Sequence, residues 1–286
     1  ETLFSKNNLF NVNNIQIEKN DKITNKALAN LAIKKGFNQL ITKILLKKDS
    51  DKLSDLNFSI IKQLVTYYQI TDVTDKKNND EFVNFNITFD KEKIHDLFYK
   101  RGILYSEIPN NELYVLPILI KENEIFIFNN NYFYENWNTI HNDDLIEFIL
   151  PLENIEIIKN INDNKDNLIN LNMTKLFQEY SNKNFALILI ESNQINNGKV
   201  YIKTTVQEKK ISKRLDVKRQ NLKATQFYEK IIFEIKKELI NIVKSNNLID
   251  IRTPSFLNTK LKLDKNSNLV ELNSRVKNIE TVENIY

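Results

Sequence analysis

Apolar and polar positions alternate through Phe10, Val12, Ile15 and Ile17, with a slip near Asn13–Asn14, and this predicts a strand that carries a bulge. Asn20 and Asp21 stand before a run at near-helical spacing through Ile23, Ala27, Leu31, Ile41, Ile44 and Leu45, which predicts a capped amphipathic helix. After a short helix at Asn57–Leu64, the runs Val65–Val73 and Glu81–Phe89, joined by the polar Asp75–Asp80, predict a β-hairpin. Asp90 then precedes Ile94, Leu97 and Phe98, and Gly102 stands where a left-handed residue would close that helix. The order is that of a ferredoxin-like βαββα unit over residues 1–105, with the apolar Leu113–Ile120 as the next strand of the pattern.

Strand patterns dominate residues 106–220: Leu113–Ile120, Glu124–Phe128 and Leu145–Leu150, the last ended by Pro151. Asn172 stands as the cap of a helix carrying Leu176, Phe177 and Tyr180. The uninterrupted Phe185–Ile190 predicts an inner strand, and Asn197–Gly198 predicts a hairpin turn into Val200–Val206, with Ile211–Val217 as a further strand. Such a mixture implies a mixed-sheet α/β region. In residues 221–286 a long helix, about Leu222–Lys244, presents Phe227, Ile231, Ile235, Leu239 and Ile242 on a wide apolar face that must pack on the preceding sheet. A strand at Phe256–Leu263, a helix at Leu269–Val276 and a strand beginning at Glu280–Tyr286 follow, and the unpaired edge this leaves predicts that the natural chain continues past Tyr286. The fold class is therefore α+β with a mixed α/β region.

Composition narrows the chemistry. The 286 residues contain no Cys, which removes thiol nucleophiles, disulfide frameworks and cysteine-based metal sites. The three glycines, Gly36, Gly102 and Gly198, are too far apart to build a phosphate-cradling loop. Lys and Arg total 41 against 37 Asp and Glu, so the net charge of +4 is a small remainder of two large numbers. No apolar run reaches the roughly 18 residues a membrane helix needs. The chain begins at Glu1 without an initiator Met, as a chain released from a leader would, and as a trimmed chain would too.

Candidate chemistry is sparse. His95 and Asp96 are adjacent on one predicted helix and point about 100° apart, so His95 reads as a surface histidine. His141, Asp143, Asp144 and Glu135 combine imidazole with carboxylates, the ligand types of a divalent cation or a carboxylate hydrolase, and equally the composition of a solvated acidic turn. No G-x-S-x-G elbow is present. Between Lys199 and Lys223 the cations Lys203, Lys213 and Arg219 punctuate alternating apolar residues, as on the outer face of a half-buried strand. Lipid headgroups or other anionic envelope polymers would use the same residues, and a nucleic acid only if they formed one continuous stripe. Tyr132, Phe133, Tyr134 and Trp137 cannot all face one side of a helix or strand. Phe133 and Trp137, at i and i+4, suit a core, and an exposed Tyr132 or Tyr134 would be a partner-binding anchor.

Three segments in order, Leu9–Ile44, Glu81–Ile118 and Asn129–Trp137, resemble an uncharacterised family of exported bacterial proteins known only as a domain of unknown function. The middle one carries most of the likeness: Phe85-Asn86-Ile87-Thr88-Phe89-Asp90, then Ile94, Leu97 and Phe98, then Gly102-Ile103 and Leu113–Pro117. Where that family reads Asn-Pro-Trp followed by a second Trp, this chain has Asn131-Tyr132-Phe133 and Trp137, without the proline and the first tryptophan. The resemblance implies export beyond the inner membrane after signal-peptide removal; separately, the residues lead to the expectation of no cofactor. The expectation is thus a non-enzymatic cell-envelope protein that binds another protein or an anionic envelope polymer. A metal- or carboxylate-dependent hydrolase is the alternative, a cytoplasmic nucleic-acid binder the weaker one.

Overall fold

The computed structural model describes residues 9–19, 24–73, 81–108, 112–140, 145–180, 182–191, 197–253 and 268–277. Contacts divide the chain into one unit spanning Glu1–Arg252 and a second spanning Thr253–Tyr286.

The first unit opens with β1 (Asn11–Lys19), α1 (Asn25–Ile44), α2 (Lys47–Ser50), α3 (Phe58–Gln63), β2 (Val65–Val73), β3 (Glu81–Phe89) and α4 (Lys91–Arg101). The three strands form an antiparallel sheet in the order β1-β3-β2. Alternation sends Ile15, Val83, Phe85, Ile87 and Phe89 to one face, where Leu28, Phe37 and Leu40 of α1 and Ile94 and Phe98 of α4 close a core. The predicted slip is a bulge: the register shifts between Val12 and Ile15, and Asn14 takes a φ of 58° while its N–H donates to Asn86 Oδ1 at 2.9 Å. Thr24 is the cap of α1, its Oγ1 accepting from the Ala27 amide at 3.3 Å; Asn20 and Asp21 lie outside the described residues. Asp90 caps α4 through the Lys93 amide at 3.2 Å, and Gly102, at φ 58°, ends it while Ile103 N donates to Phe98 O.

The βαββα order holds, but Leu113–Ile120 does not join this sheet. The chain instead passes through β4 (Tyr105–Ser106), which pairs with a strand at Leu248–Ile249, and enters a second sheet as β5 (Glu112–Lys121). The reason lies in its side chains. Leu113, Val115, Leu116, Ile118 and Leu119 are apolar on both faces and need cover on both. The outer face of the first sheet carries Gln16, Gln69, Asn84, Asn86 and Thr88 beside Phe82 and the exposed Tyr67, and among the described residues it offers no such cover.

The second sheet continues with β6 (Glu124–Phe126), α5 (Tyr132–Asn136), β7 (Glu147–Ile149), α6 (Ile155–Asp163), a 3-10 turn at Lys165–Asn170, α7 (Met173–Leu176), β8 (Phe185–Glu191), β9 (Asn197–Val206), β10 (Lys209–Lys218), α8 (Ala224–Asn246) and β11 (Leu248–Ile249). Its order is β10-β9-β8-β5-β6, with β7 beside the start of β5. β5 runs parallel to β7 and β8, and the remaining pairs are antiparallel, so the sheet is mixed and the fold is α+β. Phe227, Ile231, Ile235 and Leu239 of α8 cover one face against Ala186, Ile188, Val200 and Ile202. On the other face Ile157, Ile161, Leu168 and Leu176 cover Leu116, Ile118, Leu187 and Leu189.

Lys244 of α8 reaches the first core. Its buried ammonium donates to Thr42 O at 2.5 Å and Leu45 O at 3.3 Å, a cation at the carbonyl end of α1. In the second unit α9 (Leu269–Lys277) is capped by Asn268 Oδ1, which accepts from Glu271 N at 3.1 Å. The strands expected at Phe256–Leu263 and Glu280–Tyr286 lie outside the described residues.

Asn197–Gly198 is not a turn but the first two residues of β9, paired with Lys218 and Val217. A Cβ on Gly198 would stand 2.7 Å from Ile231 Cδ1, so the missing side chain lets α8 sit close. The hairpin turn is Gln207–Glu208, with φ of 48° and 65°, between the paired Val206 and Lys209. Two left-handed non-glycine residues make a strained type I′ turn. Replacing them with Asn and Gly (Q207N/E208G) is therefore expected to stabilise the protein by about 1 kcal/mol, read as a higher urea midpoint at unchanged slope; a lower midpoint would contradict the strain assigned to this turn.

Candidate functional site at the outer end of the second sheet

The structure separates the residues that the sequence nominates. Phe133 and Trp137 are fully buried in the core under α8. Tyr132 is half-buried, its ring 5.2 Å from that of Tyr228 on α8. Tyr134 is half-buried as well, with its hydroxyl donating to Pro151 O at 2.7 Å and its ring edge-on to Phe128. Burial raises the phenol pKa of both above the ordinary value, with Glu229 and Glu153 respectively adding to it. Neither tyrosine is the exposed anchor, and the aromatic segment is a structural plug.

Asn131 explains why the plug sits where it does. The residue is fully buried, and its Nδ2 donates to Pro117 O at 2.8 Å, Phe126 O at 3.1 Å and Ile127 O at 2.7 Å. Its Oδ1 caps α5 through the amides of Phe133 and Tyr134. One amide thus satisfies β5, the exit of β6 and the start of α5 together.

Behind Trp137 lies a buried lysine that no local sequence pattern marks. Lys236 of α8 is 4% exposed; its Nζ is 5.5 Å from the Trp137 ring centre and 5.3 Å from that of Phe148, and it donates to Ile140 O at 2.6 Å. Among the described residues no carboxylate pairs with it. Desolvation pushes its pKa down to about 8.

His95 is not the surface histidine of the sequence reading. It is half-buried, its ring 5.7 Å from Phe10 and 5.3 Å from Tyr105, and burial, followed by the nearby Lys91, lowers its pKa. His141, Asp143 and Asp144 lie outside the described residues, and Glu135 is an exposed residue of α5. Among the described residues no group of three His, Asp or Glu side chains could hold a metal ion, and no helix is long and apolar enough to cross a membrane.

The basic residues divide between the two faces of the sheet. Lys203 stands opposite Ser212, and Lys213 opposite Ile202, so their side chains leave opposite faces. Lys203 donates to Ile169 O and Leu171 O, holding the 3-10 turn against β9. Lys213 faces Glu238 of α8 at 3.9 Å. Arg219 lies beyond β10, where its Nε donates to Leu222 O at 3.0 Å. The continuous cationic stripe that nucleic-acid binding demanded is not formed by these three.

What the geometry does form is a groove. The helical cover on the Lys203 face stops at the 3-10 turn, and between this turn and the β9–β10 hairpin lies an open cleft of about 220 Å3. Leu187, Leu189 and Tyr201 are its floor, and Leu168 and the 55% exposed Ile169 its wall. Ser212 and Arg214 form the opposite lip, with the guanidinium of Arg214 5.4 Å from the centre of the Tyr201 ring. Binding pockets for whole small molecules run to about 300–1,000 Å3. A smaller apolar cleft with a cationic lip suits a single inserted side chain. The strand alternation that makes this lip was legible in the sequence; the end of the helical cover was not, because it depends on where a turn 30 residues upstream folds back.

Two outcomes test the buried groups. Asn131→Asp sets carboxylate oxygen against three carbonyls and is expected to cost about 3 kcal/mol or more, seen as a lowered denaturation midpoint. Lys236 is depressed in the folded chain from the ordinary 10.5 to about 8, so between these values the unfolded chain binds the extra proton and stability rises with pH. A rise of roughly 1–3 kcal/mol between pH 8 and about 10 is expected, before the raised tyrosines begin to act against it, and Lys236→Met should abolish it. An unchanged pH profile in that variant would assign the rise to another group.

No family model and no curated protein matches the chain. A solved structure described as "Crystal structure of uncharacterized protein" covers 49% of this chain and 94% of its own, at 10% identity and a TM-score of 0.23, a likeness too slight to carry an argument.

Proposed function

We propose that this chain is a non-enzymatic binding protein of the cell envelope and that it engages a partner protein through the groove between the Lys165–Asn170 turn and the β9–β10 hairpin. The observation that carries the reading is the groove's size and lining: an apolar floor of Leu187, Leu189 and Tyr201, open to one side, of about 220 Å3. That is room for one anchor side chain rather than for a substrate with its catalytic groups. The envelope location rests on the resemblance of Leu9–Ile44, Glu81–Ile118 and Asn129–Trp137 to exported proteins.

The test places a photo-activatable amino acid at Ile169, on the groove wall, or at the exposed Lys237 on α8 as control, in the full-length protein in its own cell. The expected result is an adduct of one defined mass from position 169 only, recovered with the envelope, on a chain whose N-terminus has been processed. Filling the groove from its exposed lip with Ser212→Trp should reduce the adduct at least tenfold. Equal adducts from both positions, or an unprocessed chain recovered from the cytosol, would sink the reading.

A further inference from the structure

The groove borders the free edge of a sheet, and this edge has properties of its own. β10 ends the second sheet, and its register with β9 runs without a break from Lys209↔Val206 to Lys218↔Asn197. Among the described residues no strand pairs with its other side. A ten-residue strand exposes about 33 Å of unpaired backbone donors and acceptors. Proteins commonly blunt such an edge with a proline, a bulge, a short strand or lysines; β10 has none of the first three and relies on Lys209, Lys210, Lys213, Arg214 and Lys218, against a single acid, Asp216.

These cations are weakly engaged. Lys213 stands 3.9 Å from Glu238 and Arg214 3.6 Å from Asp216, and among the described residues Lys209, Lys210 and Lys218 have no ion pair. A second copy of this chain laid antiparallel along the whole edge would set Lys209 opposite Lys218 and Lys213 opposite Arg214, about 5 Å apart, which is destabilising. An acidic strand in the same place would meet a complementary charge at five of the ten positions. Lys210, Ser212 and Arg214 share the face of Tyr201 and Lys203, so alternate side chains of an added strand would point toward the groove.

We infer that β10 receives an extended acidic segment of a partner protein as an additional strand, its carboxylates set against Lys210 and Arg214 on the groove side of the sheet and Lys209 and Lys213 on the other. The inference rests on this chain being a protein-binding protein and specifies how the strand beside the groove binds: main-chain hydrogen bonds along β10 supply affinity, and the charges of β10 select the acid. A nucleic acid does not fit this description, because its backbone has no ladder of amides to pair with the edge.

The probe is an acetylated eight-residue peptide that alternates threonine with glutamate and carries one phenylalanine near its centre, titrated into the intact protein. Two twins accompany it: one N-methylated at the alternate amides that would face β10, and one with lysine for glutamate. The parent is expected to bind, to slow amide exchange at alternate residues of β10, and to weaken as salt is raised. The N-methylated twin and the K210E/R214E variant should each bind at least tenfold more weakly, and the lysine twin not at all. Equal binding by the N-methylated twin would overturn strand addition while leaving the groove as a side-chain site. No binding by the parent, with the crosslink from Ile169 intact, would overturn the acidic partner and keep the groove. Self-association through β10, seen by sedimentation and lost in the K210E/R214E variant, would assign the edge to a second copy and overturn the inference as well.

Discussion

β5 and β8 run parallel from Tyr114↔Phe185 to Ile120↔Glu191, and the side chains along this pair feed two cores at once. A parallel pair apolar on both faces is stable only under two layers of helix, and α8 on one side and α6 with α7 on the other follow from that demand. The pair also tolerates a proline. Pro117 stands opposite Ile188 in the middle of β5, and its carbonyl turns away from β8 to the Asn131 amide in the gap between β6 and β7. A residue's N–H and C=O leave a strand on the same side, so the proline has no donor where no strand needs one. Asn131 fills that gap, and the aromatic plug of α5 is anchored by the amide that completes the sheet.

The two layers do not cover equal widths. α8 spans 23 residues and reaches as far as β10, where Glu238 faces Lys213. The opposite layer is built of the shorter α6, the 3-10 turn and α7, and it ends over β9, where Lys203 ties Ile169 and Leu171 to the strand. Tyr201 is left half-exposed at its rim, beside the exposed Ile169 and above the buried Leu187 and Leu189. The groove is thus the geometric remainder of an asymmetric sandwich, held at a fixed width by a lysine whose charge is engaged by carbonyls rather than displayed to a ligand.

Periodicity made most of the elements legible. The bulge at Asn13–Asn14, the β2–β3 hairpin, the capped α4 with Gly102, the inner β8 and the long α8 each leave a pattern in residues near in sequence, even where their partners are distant. What was not legible depends on distant partners. Leu113–Ile120 reads as a strand, but only its two apolar faces, set against the polar outer face of the first sheet, decide which sheet it joins. Asn197–Gly198 has the composition of a turn, yet Ile231 occupies the space its side chain would need. Gln207–Glu208 forms the turn with residues that do not favour it, because the strands on both sides fix its length. Lys236 and His95 are polar by type and buried by position; nothing in their neighbours along the chain places Trp137, Phe148, Phe10 or Tyr105 beside them. Of the candidate site, the alternating cations were visible, whereas their separation onto two faces became visible only with the register of β9 against β10.

That register also settles how charge acts at the edge. Adjacent strands lie about 4.8 Å apart, well inside the Debye length of about 8 Å at physiological ionic strength. Charges on β10 therefore act strongly on a strand laid beside it and weakly on anything farther away. A net charge of +4 spread over 286 residues would steer little, but Lys209, Lys210, Lys213, Arg214 and Lys218 concentrate cations along one exposed backbone. The arrangement discourages pairing between copies by the same electrostatics that would admit an acidic strand. A long regular edge can then stay open without becoming an aggregation site, and that combination distinguishes β10 from β2, whose exposed Tyr67, Tyr68 and Ile70 carry no charge at all.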